Sequence, residues 1–191
     1  MMKKLLISVS TLAFVTALIV APSQQSRLAK AEDKPAKSSK SRQAEKPDQA
    51  AIKRARKIVN SLDNIFKQTI VLITDKYVHD ESDFAAGSAA VLLFKNISES
   101  GDNKVRLIDA TGEPYDPANV AKDKFEKTGL ERLKSGAELY EQVVAMDGKP
   151  FLRTLTPVPV VMKKCVMCHP HYKDAKDGEP IGAISYTVPI E

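Results

Sequence analysis

Near the end of the chain, Cys165-Val166-Met167-Cys168-His169 spells C-x-x-C-H. This is the spacing with which two thiols each add across a vinyl group of one porphyrin edge. The following imidazole can then bind the iron as its proximal axial ligand. These are the only two cysteines in the sequence, and His169 is one of three histidines. The pattern predicts one covalent haem c, with Cys165 and Cys168 as the thioether residues and His169 on the iron. A C-x-x-C pair also serves as a redox disulfide, half a zinc site or a short bridge. A thioredoxin-like pair opens a helix, but Pro170 and the polar run to Pro180 are a poor helix start. A structural zinc site is closed by four ligands, usually from two such pairs, and beside Cys165, Cys168, His169 and His171 the sequence has no second C-x-x-C or H-x-x-x-H pair. A disulfide across so short a loop removes little chain entropy and leaves His169 without a role.

The address suits haem attachment, which takes place outside the cytoplasmic membrane. Lys3 and Lys4 precede an apolar run from Leu5 to Ala21, the pattern of a secretory signal. Ala29-Lys30-Ala31 offers a cleavage site, so residues 1–31 read as a signal peptide, with an uncleaved anchor as the alternative. The expected location is exported, periplasmic, and attached to a membrane only if the leader is retained.

The formal charge of +5 is unevenly placed. Residues 22–57 carry 11 basic and 4 acidic side chains, whereas residues 58–191 carry 16 basic and 20 acidic. Basicity therefore lies in the leading tail and not on a domain face, which argues against nucleic-acid binding. Residues 32–49 read as a flexible basic linker, and residues 50–191 as one domain with room for a core.

Within that domain, apolar residues recur at helical spacing from Ala50 to about Lys76. Asp80–Asp83 offers a cap for a second helix through Ala89, Val91, Leu92 and Phe94. Val105–Asp109 then alternates as a strand, Thr111-Gly112 is a turn, and Phe125–Leu133 is a short helix. Leu139–Met146 and Phe151–Val161 flank Asp147-Gly148, a hairpin signal. Ile181–Ile190 alternates as a last strand, with Gly182 marking a bulge or a close approach. The expected fold class is α+β: N-terminal helices packed on an antiparallel meander with an inserted helix.

The text from Arg106 to Ile190 resembles a family of exported PAS-like domains carrying one c-type haem. The resemblance rests on Leu107–Pro114, Pro117-Ala118-Asn119, Phe125-Glu126 and Asp147-Gly148-Lys149. It continues through Pro157–Met162, Cys165–Pro170, Gly182–Tyr186 and Val188-Pro189. It implies a PAS-like antiparallel sheet with haem against it, working in electron transfer or in redox or small-gas sensing. Some members of the family supply a distal cysteine from the helical half. This chain has no cysteine outside the motif, which excludes that arrangement here.

The remaining candidates for the distal side are His79, in Tyr77-Val78-His79-Asp80, and more weakly Met146. His79 also reads, and more readily, as an exposed helix-terminal residue favoured by the helix dipole. Met162 and Met167 suit packing around the ring, and His171 suits a loop position. Val160, Val166 and Met167, with Phe151 or Tyr140, are expected to wall the ring, and Arg153, Lys163 and Lys164 to meet its propionates. The expected role is a non-enzymatic cytochrome that partners haem and a redox protein or diatomic gas. No output module is expected after the last strand, so any sensing is expected to work through a separate protein. The alternatives are a peroxidase-like haem enzyme and a haem-free thiol redox module.

Overall fold

The computed structural model describes residues 46–80, 83–167, 170–176 and 178–191. Two helices come first, α1 (Gln49–Tyr77) and α2 (Ala86–Ser100). Strand β1 (Lys104–Asp109) follows, then α3 (Lys124–Lys134), β2 (Tyr140–Met146), β3 (Lys149–Pro159) and β4 (Pro180–Pro189). The class is α+β, as expected: helices packed against one four-stranded antiparallel sheet. The meander expectation needs one amendment. Consecutive strands β2, β3 and β4 do zigzag, but β4 also pairs with β1, giving the order β1-β4-β3-β2. The strand nearest the C-terminus is thus central, which explains its apolar text: Ala183, Ile184, Ser185 and Tyr186 are all buried.

Helix α1 contains neither glycine nor proline, and it buries one apolar face while Ile58, Ile65 and Leu72 stay exposed. Ala51, Ile52, Ala55, Val59 and Phe66 on that face are buried with Phe94 of α2 and Val105, Leu152, Ile184, Tyr186 and Val188 of the sheet. Phe66 stacks on Tyr186 at 6.4 Å and meets Phe94 at 5.1 Å. Each large apolar side chain buried there contributes about 1.5–3 kcal/mol. A polar clasp fixes the docking of α1. The Asp63 carboxylate accepts from the Thr156 hydroxyl at 2.5 Å, the Tyr186 hydroxyl at 3.0 Å and the Lys67 ammonium at 2.9 Å. Burial, together with the Asp63 charge, pushes the Tyr186 hydroxyl far above its ordinary titration range.

The opposite face of the sheet buries Ile108, Leu155 and Ala183 beneath Phe125 and Leu133 of α3. Asp123 caps α3, accepting the Glu126 N–H at 2.9 Å. Glu126 is buried, pairs with Arg106, and accepts the Lys122 N–H at 2.8 Å. Helix and sheet touch closely at Gly129, where a Cβ would lie 2.7 Å from Leu155 Cδ2.

The hairpin forms where the Asp147-Gly148 pair predicts it. Both residues have positive φ, 51° and 75°, as a tight two-residue turn between right-twisted strands requires. Gly182 proves to be a close approach, since a Cβ there would stand 3.0 Å from the Ile108 carbonyl oxygen. The register shift lies opposite, between Val158 and Pro159. One cap differs from expectation. Ala85 is the N-cap of α2 and makes no side-chain cap. The Asp83 carboxylate turns back and accepts the N–H groups of His79 at 2.6 Å and Asp80 at 3.2 Å, closing the preceding turn instead.

Candidate functional site

Where β3 leaves the sheet and β4 enters it, the α1–α2 layer and the sheet splay apart around a cavity of about 820 Å³. That lies within the range of roughly 300–1,000 Å³ typical of small-molecule and cofactor pockets. Its wall is mostly apolar. Ile70, Val71 and Thr74 come from α1, Ala90 and Val91 from α2, Leu107, Val158, Gly182 and Ile184 from the sheet, and Met162 and Cys165 from the loop after β3. Gly182 suits that wall for a physical reason, because a Cβ there would press on the β1 backbone at the Ile108 carbonyl. Polar groups sit at intervals: Lys67, Lys95, Lys164, Asp83, Asp109, Tyr115 and Tyr172. Burial and the nearby Asp109 charge push the Tyr172 hydroxyl up to about 12.

The large apolar residues at the cavity are not all covered. Phe84 is 67% exposed, Tyr115 80% and Val161 58%, with Val71 and Leu92 also open. Exposed apolar side chains gathered around one cavity are a common feature of binding grooves.

Cys165 reaches the wall through a short 3-10 turn, Lys163–Val166. Its N–H donates to the Met162 carbonyl at 3.1 Å, and the Met167 N–H to the Lys164 carbonyl at 3.3 Å. A second such turn, Pro170–Asp174, follows, in keeping with the poor helix signal there. Cys168 and His169 lie outside the described residues, as does the expected leader in residues 1–31.

The other expected site residues divide sharply. Met162, Lys164 and Cys165 line the cavity. Val160, Val166 and Met167 are half-buried beside it, without forming its wall. Phe151 and Tyr140 do not border it. Phe151 stands at the far end of β3, about 26 Å of strand away from Pro159. Tyr140 packs on the opposite face of the sheet, 5.2 Å from Phe125. The propionate role expected of Arg153 is also corrected. Its guanidinium lies under α3, 2.7 Å from Asp123 and 4.2 Å over the Phe125 ring. Lys163 is exposed and off the wall.

His79 is exposed and is not a wall residue. Met146 is on the sheet-edge strand β2, and His171 is an exposed loop residue set edge-on to Tyr172 at 4.3 Å. Sequence reading missed Lys67, Lys95, Phe84, Tyr115 and Tyr172. Of these, Lys67 alone carried a signal, being one turn from Ile70 on the apolar side of α1.

No helix of the described residues is long and apolar enough to cross a membrane. Comparison with curated proteins gives no match. The model of one family, however, matches residues 39–189, beginning inside the stretch that reads as linker. A match over that much of the sequence is decisive: the chain belongs to the Tll0287-like family.

Proposed function

We propose that this protein is an exported monohaem c-type cytochrome, with a PAS-like domain built around one covalently attached haem. The observation that carries this reading is the apolar cavity of about 820 Å³ with Cys165 in its wall and uncovered Phe84, Tyr115 and Val161 around it. The residues fit such a group. A flat macrocycle needs a broad apolar slot, its carboxylates need cations, and the exposed Lys95 stands on the wall to meet them, whereas Lys67 is held by Asp63. Cys165 and Cys168 hold the ring by thioether bonds, and His169 binds the iron. When bound, the haem supplies a one-electron ferrous–ferric couple and a site for a diatomic ligand. The chain's own work is to bind the ring, to exclude water with Ile70, Val71, Ala90 and Ile184, and so to favour the ferrous state. The role is electron transfer or small-gas sensing, not catalysis, and the secretory leader delivers the chain to the side of the membrane where haem is attached.

The test is export from a host with haem-attachment machinery. Intact mass should show one added macrocycle, and a pyridine haemochrome spectrum should show two thioether links. Cys165→Ala with Cys168→Ala should abolish covalent attachment. A correctly exported chain lacking the added mass would sink the proposal. Carbon monoxide added to the ferrous protein then separates the two roles: a Soret shift indicates gas sensing, and an unchanged spectrum indicates a six-coordinate electron carrier.

A further inference from the structure

Among the described residues, no left-handed glycine closes the C-terminus of helix α1. Its C-cap, Val78, is extended, at φ −94° and ψ 115°, where a left-handed glycine would ordinarily satisfy the free carbonyls. Lys76 is the one basic residue in the last turn, and it pairs instead with the Asp75 carboxylate at 2.7 Å. The closure comes from far along the chain. Lys164 Nζ donates to the Asp75 carbonyl at 2.7 Å and to the Val78 carbonyl at 2.8 Å. A cation at this end of a helix is also favoured by the helix dipole. Lys164 immediately precedes Cys165, within the same 3-10 turn, and both residues line the cavity whose other wall is α1.

We infer, resting on the proposed reading of Cys165 as a haem-attachment residue, that Lys164 is its positioning residue: by capping α1 it pins the Cys165 turn against the cavity wall. A chain segment entering a two-residue thiol motif has little to anchor it, since a 3-10 turn is short and poorly hydrogen-bonded. Two charge-assisted bonds to a packed helix supply that anchor. The same bonds couple the end of α1 to the motif, so fraying of the helix frees the thiol and docking of the thiol orders the helix.

The experiment uses the reduced, haem-free full chain, so its outcome is independent of the haem reading. Alkylation by a bulky maleimide is timed at Cys165, resolved from Cys168 by fragmentation of the peptide that carries both. Lys164→Met should raise the Cys165 rate about tenfold, the size expected for losing one charge-assisted anchor. Lys164→Arg, which keeps a cationic donor, should restore slow labelling. The helical circular dichroism signal of each variant confirms that the comparison is between folded chains. If Lys164→Met unfolds, Lys164→Gln takes its place with the same criterion. A lowered melting temperature with an unchanged Cys165 rate would reduce Lys164 to a plain helix cap and overturn the inference.

Discussion

Tyr172 shows how a single residue records the character of the cavity. Burial beside the Asp109 carboxylate holds its hydroxyl protonated up to about pH 12, against an ordinary value of 10.0. A raised value means that the folded state holds the proton more tightly than the unfolded state. The stability this contributes is complete below about pH 10 and is lost as pH climbs towards 12. Tyr172→Phe should therefore flatten the alkaline fall in stability across that window, measured by denaturant midpoints at successive pH values. A residual fall should persist, because Tyr186 titrates in the same direction. Gly129 is a second single-residue constraint. Gly129→Ala would place a methyl 2.7 Å from Leu155 and 3.0 Å from Tyr140. Overpacking of this kind destabilises by about 1–3 kcal/mol, which should appear as a lower melting temperature with the fold retained.

At the scale of elements, the two faces of the sheet are secured by different means. Helix α1 is held by a broad apolar face and the Asp63 clasp, while α3 is short and depends on its cap and its ion pairs. Partial burial works against the Asp123 carboxylate, but the Glu126 N–H and the Arg153 guanidinium overcome it and hold its titration below the ordinary 3.8. For a lowered carboxyl the contribution is present above the ordinary value and disappears as pH falls through the lowered one. Asp123→Ala should thus destabilise the protein by about 1 kcal/mol at neutral pH, the typical loss for an N-cap. It should also make the acid limb of the stability profile shallower. Equal acid sensitivity in the variant and the parent would show that the Asp123 pairing contributes nothing.

At the scale of the described domain, helices cover both faces of the sheet, and the α1–α2 layer parts from it at one end around the cavity. Gly87 tests that description without disturbing the core. It lies on the cavity wall, and a Cβ at that position meets no atom within 4 Å. Its backbone is ordinary helix, so Gly87→Phe should leave the haem-free protein at least as stable, helped by up to about 0.5 kcal/mol of helix propensity. On the proposed haem reading, covalent haem per exported chain should nevertheless fall several-fold, because a ring in the cavity would have to share it with a phenyl group. Full haem loading in that variant would mean that the cavity is not where the ring resides.

The sequence alone determined the elements and the order in which they come. The α1 periodicity, the Asp147-Gly148 turn and the alternation of β4 are local patterns, set by backbone geometry and by which side chains avoid water. It also marked the C-x-x-C-H spacing, because that chemistry lies within five consecutive residues. What it could not show was which distant side chains share a space. Phe151 and Tyr140 have the right type to wall a ring, but strand length and sheet face put them elsewhere. Arg153 has the right charge for a propionate, but Asp123 and Phe125 already hold it. Lys67, Lys95 and Tyr172 reach the cavity only because α1, α2 and the loop after β3 converge there. Spacing along the chain governs local conformation, whereas only the packing of helices against the sheet decides what lies beside Cys165.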